Sequence, residues 1–280
     1  MRIFLTGGTG YIGAAVLDAL VKHGHDVTVL VRNNEKAAAV SARGGRPVVG
    51  NMAEPESYKA AADAQDGYVH TAFDARSGQG PTTDRIVIDT LLAAARRPRT
   101  VGAQTPATRF FIYTSGVWVL GRAPEPVAED APANPIALVQ WRVSHEELVL
   151  SAASATLRTM IVRPGVVYGG GTGIMGDVFK QASNGLVRVV GDGNNHWPLV
   201  YDRDLADLYA RLAGREDTGG IYHANDEGDE RVNDVVSAIA PYLPTRPDVR
   251  HVPIEEARAK MGPYADALSL DQRVRSPRAR

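Results

Sequence analysis

The first thirty-three residues, MRIFLTGGTGYIGAAVLDALVKHGHDVTVLVRN, constrain the fold more than any other stretch. Arg2 to Thr6 reads as a short buried strand. A turn follows in which Gly7, Gly10 and Gly13 recur every third residue. Ile12, Val16, Leu20 and Val21 then repeat at helical spacing, and the pattern stops at Gly24. Asp26 to Val31 is a second, β-branched strand. Strand, glycine turn, helix and strand in this order set a helix N-terminus against a phosphate, because the first-turn N–H groups are unpaired and the helix dipole is positive there. Gly7 lets the chain turn off the strand, Gly10 leaves bare backbone for a pyrophosphate, and Gly13 permits close helix packing.

T-G-x-x-G-x-x-G at residues 6–13 resembles the nucleotide fingerprint of the extended and atypical short-chain dehydrogenase/reductases, the epimerase/dehydratase-like group. The likeness extends over most of the chain. It implies an α/β fold, a Rossmann-type doubly wound parallel sheet with a smaller C-terminal substrate lobe. The expected division is a nucleotide domain at 1–168 with a returning segment near 200–223, and a substrate lobe from 169–199 and 224–280. Gly7, Thr9, Gly10, Tyr11, Ile12 and Gly13 are the expected phosphate turn.

The end of the second strand bears on cofactor type. An acidic residue there would hold a ribose 2′-hydroxyl. This chain has Arg32 and Asn33 instead, and a guanidinium suits a 2′-phosphate. NADP is therefore expected over NAD. Arg46 to Gly50 reads as a third strand, and Asn51 and Met52 after it are the expected adenine contacts. A helix is expected over 54–64. Gly67 to Ala72 is a fourth strand, with Thr71 and Ala72 near the pyrophosphate and His70 packed within it. Residues 74–83 read as a polar loop, and Ile86 to Arg97 as an apolar helix.

Arg109 to Gly116 reads as the fifth strand and its end. Strand C-termini face the ligand crevice in such sheets, so Thr114 is an expected cofactor contact and Ser115 a candidate catalytic hydroxyl. The family's next element is a helix carrying Tyr-x-x-x-Lys, expected here from Ile136 to Ala153. Glu146 to Leu150 sets a register with Leu138 at the tyrosine position and Arg142 at the lysine position. No tyrosine or lysine occurs from Thr114 to Val167, so the acid–base pair is missing from its segment. Arg142 can anchor a ribose but cannot shuttle protons near neutral pH. His145 is a conceivable acid, though it reads more readily as a surface histidine. Thr156 to Val162 is a sixth strand. Arg163 to Gly169 resembles the family's R-P-x-x-V-Y-G, which implies that Pro164, Val166 and Val167 approach the nicotinamide. Asp204 reads as a helix cap or ion-pair partner, and Tyr201 or His196 as a completing residue from the second lobe. A helix is expected over Arg231 to Tyr242.

Composition narrows the function. Thirty-one basic and thirty-two acidic residues give a net charge of −1, which argues against a nucleic-acid or anionic-membrane surface. The absence of cysteine excludes disulfides, thiolate metal sites and a cysteine nucleophile, and fits a reducing, cytoplasmic setting. The apolar start is broken by Thr6 to Gly10 and does not read as a signal peptide. No apolar run is long enough to span a bilayer. His23 and His25 flank a turn without a third ligand, so no metal is expected. The expected partner is a small-molecule substrate, and homodimerisation is left open. Two readings remain. One is an NADP(H)-dependent oxidoreductase whose missing tyrosine suits reduction of an iminium or activated alkene over a simple ketone. The other is a catalytically silent NADP-binding redox sensor or regulator. Turnover is the preferred reading.

Overall fold

The computed structural model describes residues 1–75, 77–97 and 108–280. The chain divides into two compact units. The first comprises Met1–Ser115, Ser144–Val162 and Arg203–Ile221, and the second Gly116–Val143, Arg163–Asp202 and Tyr222–Arg280.

The elements in chain order are β1 (Arg2–Thr6), α1 (Tyr11–Lys22), β2 (Asp26–Val31), α2 (Asn34–Ser41), β3 (Arg46–Val49), α3 (Lys59–Asp63), β4 (Gly67–His70), α4 (Gly80–Arg96) and β5 (Arg109–Thr114). Then come β6 (Ala123–Val127), α5 (Trp141–Ser151), β7 (Leu157–Pro164), β8 (Val166–Tyr168), α6 (Gly173–Ser183), β9 (Leu186–Val190) and β10 (Leu199–Tyr201). Last are α7 (Asp202–Gly214), β11 (Gly220–Ala224), α8 (Val232–Ile239), β12 (Asp248–Val252), α9 (Ile254–Met261), α10 (Tyr264–Leu268) and β13 (Gln272–Val274).

Seven strands form one sheet in the order β11-β7-β5-β4-β1-β2-β3. The pairings of β1 with β2 and β4, β2 with β3, β4 with β5, and β5 with β7 are parallel. Strand order reverses beside β1, the switch point where a doubly wound sheet takes its ligand. Its strands are apolar on both faces: Ile3, Phe4 and Leu5 are all fully buried, as a sheet covered by helices requires. One core cluster of the first unit gathers Phe4, Tyr68, Ile88, Leu91, Phe111 and Ile161. Each such side chain contributes about 1.5–3 kcal/mol by burial. Buried Arg109 caps the C-terminal end of α4, donating to the carbonyls of Ala94, Ala95 and Arg97 at 2.9, 3.1 and 2.7 Å. A cation there complements the dipole and the unpaired carbonyls.

Three parallel strand pairs belong to the second unit: β8 with β10, β9 with β12, and β6 with β13. Its largest cluster packs Met175, Val178, Val189, Trp197 and Val236.

Several expected elements are corrected. The helix over 54–64 is a 3₁₀ turn, Pro55–Ser57, followed by the short α3. Tyr58 interrupts it with φ −140°, and its buried ring stacks on Phe4 with centroids 6.0 Å apart. The helix over 136–153 is likewise a 3₁₀ turn, Ala137–Val139, and then α5 from Trp141. Leu138 and Arg142 therefore do not share one α-helix. The loop over 74–83 ends at Gly80, where α4 begins; Arg76 within it lies outside the described residues. The helix over 231–242 is α-helical to Ile239 and finishes as a 3₁₀ turn, Ala240–Tyr242, because Pro241 has no N–H to donate into a further α turn. Among the described residues no helix is long and apolar enough to cross a membrane.

Candidate functional site

The glycine turn links β1 to α1. Gly7 stands at φ +80°, and a Cβ there would lie 2.7 Å from both the Ala72 nitrogen and Thr71 Oγ1. A side chain at this point is excluded by strain and by space together. A Cβ on Gly13 would collide with the Gly7 carbonyl oxygen and come 2.5 Å from Thr71 Oγ1. The close approach at Gly13 is thus to the turn itself and to the residue after β4. Gly10 differs. A Cβ there would meet only the Gly7 oxygen, at 3.2 Å, within 4 Å. Gly10 is also the N-cap of α1, with no side chain capping the helix and no acidic residue in its first turn. The turn is closed toward the protein and open at a helix N-terminus, the arrangement that suits an anion.

Other expected contacts of the first unit gather at the strand ends. Thr71 Oγ1 donates to the Thr6 carbonyl at 2.8 Å, tying the end of β4 to that of β1. The Gly50 N–H donates to the Val31 carbonyl at 2.9 Å, bringing the end of β3 beside that of β2. Arg32 is exposed just past β2 and has no ion-pair partner among the described residues. Asn33 caps α2, accepting from the Lys36 N–H at 3.0 Å. The Asn51 amide is engaged locally: its Nδ2 donates to Glu54 at 2.9 Å and its Oδ1 accepts from the Ala53 N–H at 3.1 Å. Met52 packs against the first unit's core. At the end of β5, Thr114 Oγ1 and Tyr209 Oη lie 2.6 Å apart. Ser115 Oγ is buried and has no hydrogen-bond partner among the described residues, which leaves a donor to be satisfied by something else.

In the second unit the Arg142 guanidinium lies over the Trp141 ring, 4.5 Å from its centroid, a cation–π contact. Pro164 ends β7, while Val166 and Val167 of β8 pair with Leu199 and Val200 of β10. His196 is buried. Its Nδ1 lies 2.7 Å from Asp271 Oδ1 and its Nε2 3.2 Å from an Arg273 nitrogen. A guanidinium has no acceptor, so Nε2 accepts and Nδ1–H donates. That uses both ring nitrogens internally. Burial raises the Asp271 carboxyl, but the hydrogen bonds from His196 outweigh it and hold the group below its ordinary range. A carboxyl with a depressed folded-state value stabilises the fold above the unfolded value and loses that contribution as pH falls through the folded one. Asp271→Asn should thus lower the urea midpoint near neutrality, and the gap from the parent chain should close as pH drops below the usual aspartate range. A gap independent of pH would show that the carboxylate charge is not what matters.

A polar cluster inside the first unit was not expected from the sequence. Asp84 on α4 is buried and meets His70, Tyr113 and His145. His70 Nε2 is 3.2 Å from its Oδ1, while Tyr113 Oη and His145 Nδ1 are each 2.8 Å from its Oδ2. The far nitrogen of His70 lies 2.5 Å from Thr6 Oγ1. An ionised carboxylate only accepts, so both histidines and the tyrosine donate to it. His145 is therefore corrected from a surface residue to a buried one, 6% exposed. The reason is its partner: a buried carboxylate must collect donors. A sequence signal existed. Asp84 sits on the same helical stripe as Val87, Ile88 and Leu91, and His145 lies four residues before Val149. No group of acidic or histidine residues that could hold a metal occurs among the described residues.

Sheet order and glycine turn define an α/β protein of the doubly wound nucleotide-binding type. Residues 3–224 match the NAD dependent epimerase/dehydratase family, and the chain belongs to that family. An uncharacterized protein of Schizosaccharomyces pombe is 32% identical, over 97% of this chain and 90% of its own. A Stigmatella aurantiaca protein, named 4-hydroxy-2-methyl-3-oxo-4-farnesyl-3,4-dihydroquinoline-1-oxide ketoreductase, is 27% identical over 92% of this chain and 78% of its own. Human epimerase family protein SDR39U1, solved with NADPH, has the same fold with a TM-score of 0.78 at 22% identity, covering 100% of this chain and 92% of that one.

Proposed function

We propose that the protein is an NADP(H)-dependent oxidoreductase acting on a small organic substrate, with residues 1–168 and the segment near 200–223 as nucleotide domain and the remainder as substrate lobe. The observation that carries this reading is the uncapped N-terminus of α1 behind a turn that is sterically closed except at Gly10. Backbone N–H groups of that turn would hold the pyrophosphate, and Arg32, exposed and without an ion pair among the described residues, would meet a 2′-phosphate. The cofactor supplies the hydride, and the protein supplies position and electrostatics.

The segment from Thr114 to Val167 contains neither tyrosine nor lysine, so the substrate is one with low demand for an acid, an iminium or an activated alkene. Ser115 would be the hydroxyl that polarises it, its Oγ having no protein partner among the described residues. The Stigmatella relative's name, a ketoreductase, supports hydride transfer over the alternative of a silent NADP-binding regulator. That alternative is favoured by the missing acid–base pair alone.

Arg32→Ala separates the cofactors. The substitution should weaken NADPH by about 1.5–3 kcal/mol, the range of hydrogen bonds to charged groups, and leave NADH nearly unchanged in a fluorescence titration. Equal losses for both would mean that Arg32 only supports its loop. Absence of any nicotinamide-nucleotide binding by the parent chain would remove the proposal.

A further inference from the structure

A cavity of about 270 Å³ lies wholly within the second unit. Its wall is apolar, built from Val178, Val189, Trp197, Val236 and Leu268. The Trp197 indole N–H already donates to the Leu268 carbonyl at 3.1 Å, so the ring offers the cavity an apolar face with its polar end satisfied. The pocket opens to solvent along a rim that includes exposed Lys180, Arg188 and Met261, and its floor is the buried Val187, Val189 and Trp197. The cavity approaches the size of ligand sites, about 300–1,000 Å³. At roughly 30 Å³ for each water-sized group, it takes about nine methylenes.

The charged residues of the lining decide what kind of ligand would suit it. Lys180 and Arg188, both exposed, belong to the lining together with Asp177. Neither cation has an ion-pair partner among the described residues. Two cations against one carboxylate leave a net positive rim on an apolar chamber. We propose that this cavity holds the apolar chain of an anionic amphiphile, a medium-chain carboxylate with its head at Lys180 and Arg188. The inference names the substrate class, and in that respect rests on reading residues 169–199 and 224–280 as the substrate lobe.

The test uses the full chain without cofactor and decanoate as the probe, followed by tryptophan fluorescence. Decanoate should saturate with a change in emission that Trp197→Phe removes, while acetate should do nothing. Lys180→Glu combined with Arg188→Glu changes only exposed positions and should leave the melting temperature intact. It should weaken decanoate by roughly fivefold to tenfold, the scale of exposed charge effects, and leave decanol unchanged. Added salt should weaken decanoate in the parent chain but not in the double variant. Decanoate binding no tighter than acetate, equal effects of the charge reversals on decanoate and decanol, or loss of binding as the chain self-associates onto this face would each overturn the proposal. NADPH is titrated in the same samples. Binding of NADPH without decanoate overturns this inference alone. Binding of decanoate without NADPH removes the oxidoreductase reading and leaves a carboxylate-binding protein.

Discussion

Gly13→Val is expected to yield no folded protein, whereas Gly10→Val should yield a folded chain that no longer binds NADPH. The two glycines are three residues apart in one turn, yet their surroundings differ. At position 13 a Cβ would run into the Gly7 carbonyl and press on Thr71 Oγ1 at 2.5 Å. The first obstacle is main chain directly after the end of buried β1, and it cannot move without displacing that strand. Ordinary overpacking costs about 1–3 kcal/mol where side chains can adjust. Here the cost should exceed that range. At position 10 the only neighbour within 4 Å is the Gly7 oxygen at 3.2 Å, and φ is −86°, a value open to any residue. The valine would occupy the space a pyrophosphate needs. Circular dichroism and thermal melting report the first effect. A fluorescence titration reports the second, with an expected loss of more than about a hundredfold, roughly 2.7 kcal/mol. A Gly13→Val chain with a parental melting curve would contradict the steric account, and a folded Gly10→Val chain with unchanged NADPH affinity would contradict the site.

The second large effect is expected at Asp84. Removing one member of a buried charged cluster costs about 3–5 kcal/mol, because the partners stay behind without water. Asp84→Ala would strand the His70, His145 and Tyr113 donors that now converge on the carboxylate. Against a typical total of about 5–15 kcal/mol for a domain, the variant should be marginal, with a large drop in the urea midpoint. Asp84→Asn keeps one acceptor and the same shape, and should lose less. Tyr113→Phe and His145→Ala, each deleting one donor, should cost about 1–3 kcal/mol apiece. In a double-mutant cycle with Asp84 those losses should be far from additive. Additive losses, or an Asp84→Ala chain as stable as its parent, would mean that the cluster does not act as a unit.

Much of the first unit was legible in the sequence, because its strands are continuous apolar runs and its turn carries the glycines. β1, β2 and α1 follow from those patterns alone. The failures have specific causes. Helical spacing over 54–64 and 136–153 does not reveal that Tyr58 turns inward where the backbone leaves the helical range (φ −140°, ψ −11°), or that the chain winds as a 3₁₀ turn before Trp141. β6 contains Pro124 and Pro126, which argue against a strand; it exists because among the described residues it pairs with β13 alone and needs few of its own donors. Asp84 and His145 are polar residues placed on apolar stripes, and a stripe says where a residue faces but not whom it meets. The Asp84 cluster joins four sheet or helix elements, so no local window contains it.

The division of the chain into two units has a consequence for how the molecule can be made. The boundaries at 115/116, 143/144, 162/163, 202/203 and 221/222 mean that the polypeptide passes between the units five times. No single cut yields either unit intact. As the chain leaves the ribosome, the first 115 residues carry the glycine turn and five strands, but the sheet still lacks β7 and β11. The edge of β5 (Arg109–Thr114) must wait, unpaired, for β7 (Leu157–Pro164), and the edge of β7 then waits for β11 (Gly220–Ala224); open strand edges are where nascent chains stick to one another. The first unit, begun by the opening strands, is thus completed only when β11 arrives, and its assembly is bound to that of the unit threaded through it.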